Sequence, residues 1–139
     1  MKILLAIDDS KFSDAAVQAF MAEHQPQATE VKVLNVVDVA LPIPTSAAEG
    51  FRNESLKHGN EVVRRTAQLL RQANYSVETA VEEGDPESKI LAAAKNWNAD
   101  LIVLGSHGRK GLEHFLEGSV SEAVSRRAGC SVEVVRIHP

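Results

Sequence analysis

Three observations predict an α/β fold built on a parallel β-sheet for this sequence of 139 residues. Five short apolar or alternating runs are separated by segments with helical periodicity, the pattern of successive βαβ units. Two of those runs, Ile3–Ile7 and Leu101–Leu104, are apolar at every position, as strands covered on both faces are. A glycine-rich loop follows the second of them and leads into a helix start at Gly118-Ser119.

The elements follow in order. Ile3–Ile7 is the first strand, closed by the polar loop Asp8-Asp9-Ser10. Ser13 is the expected N-cap of a helix that carries Ala16, Val17, Phe20 and Met21 on one face and stops before Pro26. Val31–Val37 is the second strand, and Pro42 and Pro44 make residues 38–45 a loop. From about Ala47 to Ala73, residues Phe51, Ser55, Gly59, Val62, Val63, Thr66, Ala67 and Leu70 recur at three- and four-residue steps. They mark a long amphipathic helix in which Gly59 is either a weak point or a close-packing contact.

Ser76–Glu82 alternates apolar with polar residues and is expected at a sheet edge. Asp85 is the expected N-cap and Pro86 the first residue of a helix whose inner face is Ile90, Leu91, Ala94 and Trp97. The last helix carries Val120, Ala123 and Val124, has Arg126 and Arg127 in its final turn and ends at Gly129. Val132–Ile137 is the fifth strand. Strand-helix alternation throughout implies right-handed crossovers, one sheet covered on both faces and one domain over residues 1–139.

Composition narrows the function. Hydrophobic residues make up 44% and charged residues 24% of the chain, and the net charge of −4 argues against non-specific nucleic-acid binding, which needs a basic surface. Cys130 is the only cysteine, so no internal disulfide forms. No run approaches the length of a membrane span, and Met1-Lys2 leads straight into a strand-like run without a signal-peptide core. The expectation is a cytoplasmic protein without a membrane or nucleic-acid partner.

The chemistry concentrates in Gly105, Gly108 and Gly118-Ser119, separated by two and nine residues. A strand, a glycine-rich loop and a helix start in that order form an anion site: glycine lets a ligand approach the backbone, and the helix's first N–H groups point at it. The spacing is neither a P-loop nor the dinucleotide fingerprint. Asp8-Asp9 suits either a nucleoside contact or Mg²⁺. A receiver-type phosphoacceptor pocket would need an Asp after strand three and a Lys after strand five, where the chain has Glu82-Glu83-Gly84 and Arg136-Ile137-His138. His107, Arg109 and Lys110 are compatible with phosphate contact and equally with a solvated loop. Asp9 reads as a solvated loop residue, Cys130 and Trp97 as packing residues, and Ser119 has no evident His–Asp relay to make it a nucleophile.

The spacing G-x-x-G-x9-G-[ST], the opening ILLAIDDS and the stretch GSHGRKGLEHFLEGSVSEAV ahead of Cys130 together resemble the ATP-binding branch of the universal stress protein family. The resemblance spans essentially the whole chain. It implies a Rossmann-like sandwich with a five-stranded parallel sheet in the order 3-2-1-4-5, four helices, and a homodimer. It further implies that Ala6, Ile7 and Asp8 meet the nucleoside and that the backbone of Val36 meets adenine. Leu104, Gly105, Ser106, Gly108 and Arg109 would flank ribose and phosphates, and Gly118, Ser119 and Val120 would bind phosphates. Ser131 stands where the family often has proline. No catalytic residue is assigned.

The expected cofactor is ATP, or ADP or AMP, with Mg²⁺ through Asp8 or Asp9 as an option. The alternatives are a Mg²⁺-dependent nucleotide hydrolase and a protein-interaction module whose loop binds nothing. An apolar fifth strand at a sheet edge would leave open hydrogen bonds, so residues 132–136 are the expected dimer contact.

Overall fold

A computed structural model describes residues 1–38, 45–106 and 119–137, the side chains of 45–48 excepted. Its strands are β1 (Lys2–Ala6), β2 (Glu30–Val37), β3 (Ser76–Glu83), β4 (Leu101–Gly105) and β5 (Ser131–Val135). Its helices are α1 (Lys11–Glu23), α2 (Thr45–Gln72), α3 (Pro86–Trp97) and α4 (Ser119–Arg127). The five strands form one parallel sheet in the order β3-β2-β1-β4-β5. The expected topology is therefore what the chain adopts.

Two apolar layers follow from strand alternation. Ile3, Leu5, Val31, Val33 and Val103 point to one face and pack with Val17 and Phe20 of α1 and Val62, Val63 and Leu70 of α2. Leu4, Ala6, Leu34, Ile102 and Leu104 point to the other and pack with Ile90 and Ala94 of α3 and Val124 of α4. The leucines, isoleucines and valines of the central strands are almost fully buried, and each contributes about 1.5–3 kcal/mol by leaving water. This double coverage is why Ile3–Ala6 of β1 and Leu101–Gly105 of β4 carry no polar residue. Arg127 Nη1 lies 2.7 Å from Glu87 Oε1, joining α4 to α3.

Three local expectations need correction. The N-cap of α1 is Ser10, not Ser13: Ser10 Oγ accepts from the Ser13 amide at 3.2 Å, and the helix begins at Lys11. Ser13 instead turns its hydroxyl to Asp8 and is buried. Strand β5 ends at Val135, two residues early: the Val135 carbonyl accepts from the Ser106 amide just past the end of β4, and Arg136 and Ile137 beyond it are exposed.

Phe51, expected on the inner stripe of α2, is 42% exposed. A 28-residue helix is about 42 Å long, whereas an eight-residue strand spans about 26 Å. The first turns of α2 therefore overhang the carboxyl edge of the sheet. Gly59 lies where the helix meets the sheet, and a Cβ there would stand 2.7 Å from Asn35 Oδ1 and 3.2 Å from both Val37 and Val81. Close packing is thus its role.

Candidate functional site

Neighbouring strands β1 and β4 send their chains on to α1 and α4, which lie on opposite faces of the sheet. A crevice opens at the carboxyl ends of such a pair, and ligands of open α/β sheets bind there. Parallel register sets Ala6 level with both Leu34 and Leu104. Val36, two residues beyond Leu34, lies on the same face and is half-buried. Ala6 and Leu104 are buried, and Val120 of α4 packs against the same apolar layer. Sequence-predicted Ala6, Val36, Leu104 and Val120 are therefore brought together on one face. Ile7 is buried on the opposite face, and its carbonyl accepts from Asn35 Nδ2 at 2.8 Å.

Asp8 follows at the crevice rim, half-buried and held rigidly. Its Oδ1 accepts from the Ser10 amide and from Ser13 Oγ, both at 2.9 Å, while its own amide donates to Ser13 Oγ at 2.8 Å. The short loop from β1 to α1 thus fixes the carboxylate through its own turn. Asp9, expected to be merely solvated, is exposed but paired: its Oδ2 lies 2.8 Å from His58 Nε2 of α2. His58 precedes Gly59, where α2 lies against β2 and β3, and its side chain reaches the loop that leaves β1. Further along, Arg52 of α2 grips Glu83 at the end of β3 through Nε at 2.5 Å and Nη2 at 3.1 Å. Together these pairs make α2 one wall of the carboxyl edge.

Gly105 ends β4 against the start of α1. A Cβ on it would stand 2.7 Å from both the carbonyl carbon and the oxygen of Phe12. The space beside Gly105 is filled by the protein's own backbone, so this glycine is required by packing before any ligand is considered. Ser106 is buried, and its carbonyl accepts from Ser121 Oγ at 2.7 Å, pinning α4 to the end of β4. Ser119 is the exposed first residue of α4, where backbone N–H groups have no helical partner. Gly108, Arg109 and Gly118 lie outside the described residues, as do His107, Lys110, Pro42 and Pro44.

The remaining candidates settle into packing. Cys130 packs against the α3–α4 layer, and burial, with Asp100 nearby, pushes its thiol above the usual range, away from reactivity. Trp97 packs on the same layer with Lys2 Nζ at 5.3 Å and Lys32 Nζ at 5.9 Å from its ring centre. Beside it a groove of about 170 Å³ is lined by Lys32, Leu34, Ala80, Glu82, Ala93, Asn96 and Trp97. No sequence motif points to this groove, because its lining comes from three elements.

One grouping was not legible in the sequence. Glu23, His24 and Glu133 each bring a ligand-type atom within 4.8 Å of the others. Two neighbours in the chain meet a distant strand residue, a coincidence only the fold creates.

The sequence model of the Universal stress protein family matches residues 1–136. Universal stress protein YxiE of Bacillus subtilis is 33% identical over 146 residues, covering 97% of this chain and 98% of that one. The structure of universal stress protein UspA from Lactobacillus plantarum superimposes with a TM-score of 0.89 at 25% identity, over 98% of this chain and 97% of its own. An Arabidopsis thaliana structure of the same family, solved with AMP bound, gives a TM-score of 0.75 at 17% identity, over 99% and 92% of the two chains. At that identity the likeness concerns the fold.

Proposed function

The chain belongs to the universal stress protein family, and we propose that it binds an adenine nucleotide, ATP first among them, at the carboxyl ends of β1 and β4. In this reading it is a sensor or regulatory module with at most slow hydrolysis. The observation that carries the reading is the meeting of Ala6, Val36 and Leu104 on one face with the immobilised Asp8 carboxylate at its rim. An apolar floor accepts a flat base, and a fixed carboxylate accepts hydrogen bonds from nucleoside hydroxyl or amino groups. The AMP bound to the Arabidopsis relative adds support of a general kind.

Within the proposal, Ala6, Ile7, Asp8 and Val36 surround the nucleoside, Ile7 by its backbone alone. Leu104, Gly105 and Ser106 line the way to the phosphates. Ser119 and Val120, at the start of α4, offer amide groups and the end of the helix dipole to the phosphate charge. Gly108, Arg109 and Gly118 are assigned to the phosphates on sequence grounds. Bound nucleotide would supply a recognisable charge state at this edge, and the chain's own residues would bind and orient it.

A Mg²⁺-dependent hydrolase using Asp8 or Asp9 has less support, since both carboxylates already hold protein partners. Cytoplasmic residence and a homodimer through residues 132–136 complete the reading. Calorimetric titration of nucleotide-free protein with ATP, ADP and AMP, with and without Mg²⁺, tests it. Saturable binding of at least one of them, weakened at least tenfold in Asp8→Ala, is expected. No heat from any of the three would leave the interaction-module reading in its place.

A further inference from the structure

The cluster at the far side of the sheet from the nucleotide crevice, Glu23, His24 and Glu133, has chemistry of its own. We propose that these three residues form a divalent transition-metal site, with Zn²⁺ the ion best matched, that clamps the end of α1 to strand β5. The proposal is independent of nucleotide binding.

The chain fixes the site from two sides. Glu23 is the last residue of α1 and His24 its C-cap, with extended backbone (φ −123, ψ 128) and its N–H donating to the Phe20 carbonyl. The His24 carbonyl accepts from Tyr75 Oη at 2.5 Å, and its ring leans on Phe20 at 5.5 Å between centroids. Glu133 extends from the middle of β5, where the strand pairs with Val103 of β4.

Two polar atoms are left over by this packing. His24 Nε2 and Glu133 Oε2 are both shielded from solvent and make no hydrogen bond. A buried nitrogen and a buried carboxylate oxygen without partners cost free energy. Moreover, the Glu23 and Glu133 carboxyl groups and the His24 ring converge on one point. Two carboxyl groups beside an imidazole nitrogen without a partner are a donor set that a divalent cation can occupy.

Imidazole nitrogen and carboxylate oxygen are both ligand types that zinc takes, and three protein ligands leave a fourth position open to water. The ligand atoms lie within 4.8 Å of one another, and bonds of about 2.0–2.2 Å would draw them closer. Glu23, exposed at a helix end, can make that adjustment by changing rotamer. Soft-ligand ions such as Cu⁺ are disfavoured because the set has no sulfur.

The test uses full-length, untagged protein freed of metal by chelation and titrated with ZnCl₂ at neutral pH. One Zn²⁺ per chain is expected, with at least tenfold weaker binding in both Glu133→Gln and His24→Ala. Glu23→Gln, at an exposed position, provides a variant that keeps the fold and is expected to lose affinity likewise. Zinc-edge absorption spectroscopy of the loaded protein should report one imidazole and oxygen ligands. Binding that all three variants retain, a shell with sulfur or two imidazoles, or no stoichiometric uptake would each overturn the proposal.

Discussion

Asp8 and Ser13 are joined twice: Ser13 Oγ accepts from the Asp8 amide at 2.8 Å and donates to Asp8 Oδ1 at 2.9 Å. Ser10 closes the ring by donating its amide to the same oxygen and capping α1 with its hydroxyl. A carboxylate fixed in this way is preorganised, which favours ligand binding by removing the entropy of ordering it. Ser13→Ala strips the Asp8 amide and carboxylate of a partner inside a partly buried turn. A loss of about 1–3 kcal/mol in stability is expected, read as a lower urea midpoint. An unchanged midpoint would contradict this account of the turn.

Gly105 gives a prediction that separates packing from ligand contact. Its missing side chain makes room for Phe12, so Gly105→Ala should drive a methyl group into backbone that cannot move without shifting α1. Overpacking of this kind costs about 1–3 kcal/mol. Denaturation in the absence of nucleotide checks it. A glycine needed only for phosphate approach would leave the stability of that nucleotide-free variant at the wild-type value.

The start of α3 supplies a pH dependence. Asp85 caps the helix by accepting from the Ser88 amide at 3.0 Å and from Ser88 Oγ at 2.9 Å, and these bonds lower its carboxyl below the ordinary 3.8. Because the folded value is depressed, the stabilisation is present above 3.8 and is lost as pH falls through the folded value. Asp85→Asn keeps an acceptor at the cap and cannot titrate. Its stability should therefore fall less than that of the wild type between pH 5 and 2, in parallel unfolding curves. Superimposable acid limbs would show that the cap does not carry the effect.

Among the described residues strand β5 pairs only with β4 and ends the sheet, with Val132, Val134 and Val135 half-buried. An apolar edge of this kind invites a second strand. Under the homodimer reading, Val134→Pro interrupts pairing at the edge and should yield a monomer in sedimentation. A variant that sediments as a dimer would place any interface elsewhere.

The sheet was legible in the sequence because burial on both faces leaves a clear mark. Ile3–Leu5 and Leu101–Leu104 had to be apolar throughout, and the alternation of Ser76–Glu82 marked an edge, where β3 lies. Ends of elements were less legible. Two serines three residues apart, Ser10 and Ser13, both suit a cap, and only the hydrogen bond to Asp8 decides between them. Phe51 fits the helical stripe, yet no pattern within α2 reveals that the sheet stops short of it.

The candidate site divides in the same way. Asp8 and Gly105 follow or end apolar strand runs in the sequence, and the strand order that the family resemblance implies sets those two ends side by side at the switch point. The His58–Asp9 pair and the Glu23–His24–Glu133 cluster join residues far apart in the chain and required the fold. Gly105 carries a further lesson: a glycine inside a ligand-type spacing is also a position where the backbone of helix α1 packs against the strand.

The most direct measurement of the central proposal is amide mapping by two-dimensional ¹⁵N–¹H NMR during titration with ATP. The account predicts saturable shifts concentrated at Asp8, Val36, Gly105, Ser106, Ser119 and Val120. Shifts centred instead on Lys32, Ala80, Asn96 and Trp97, the lining of the second groove, or no saturable shifts at all, would contradict it.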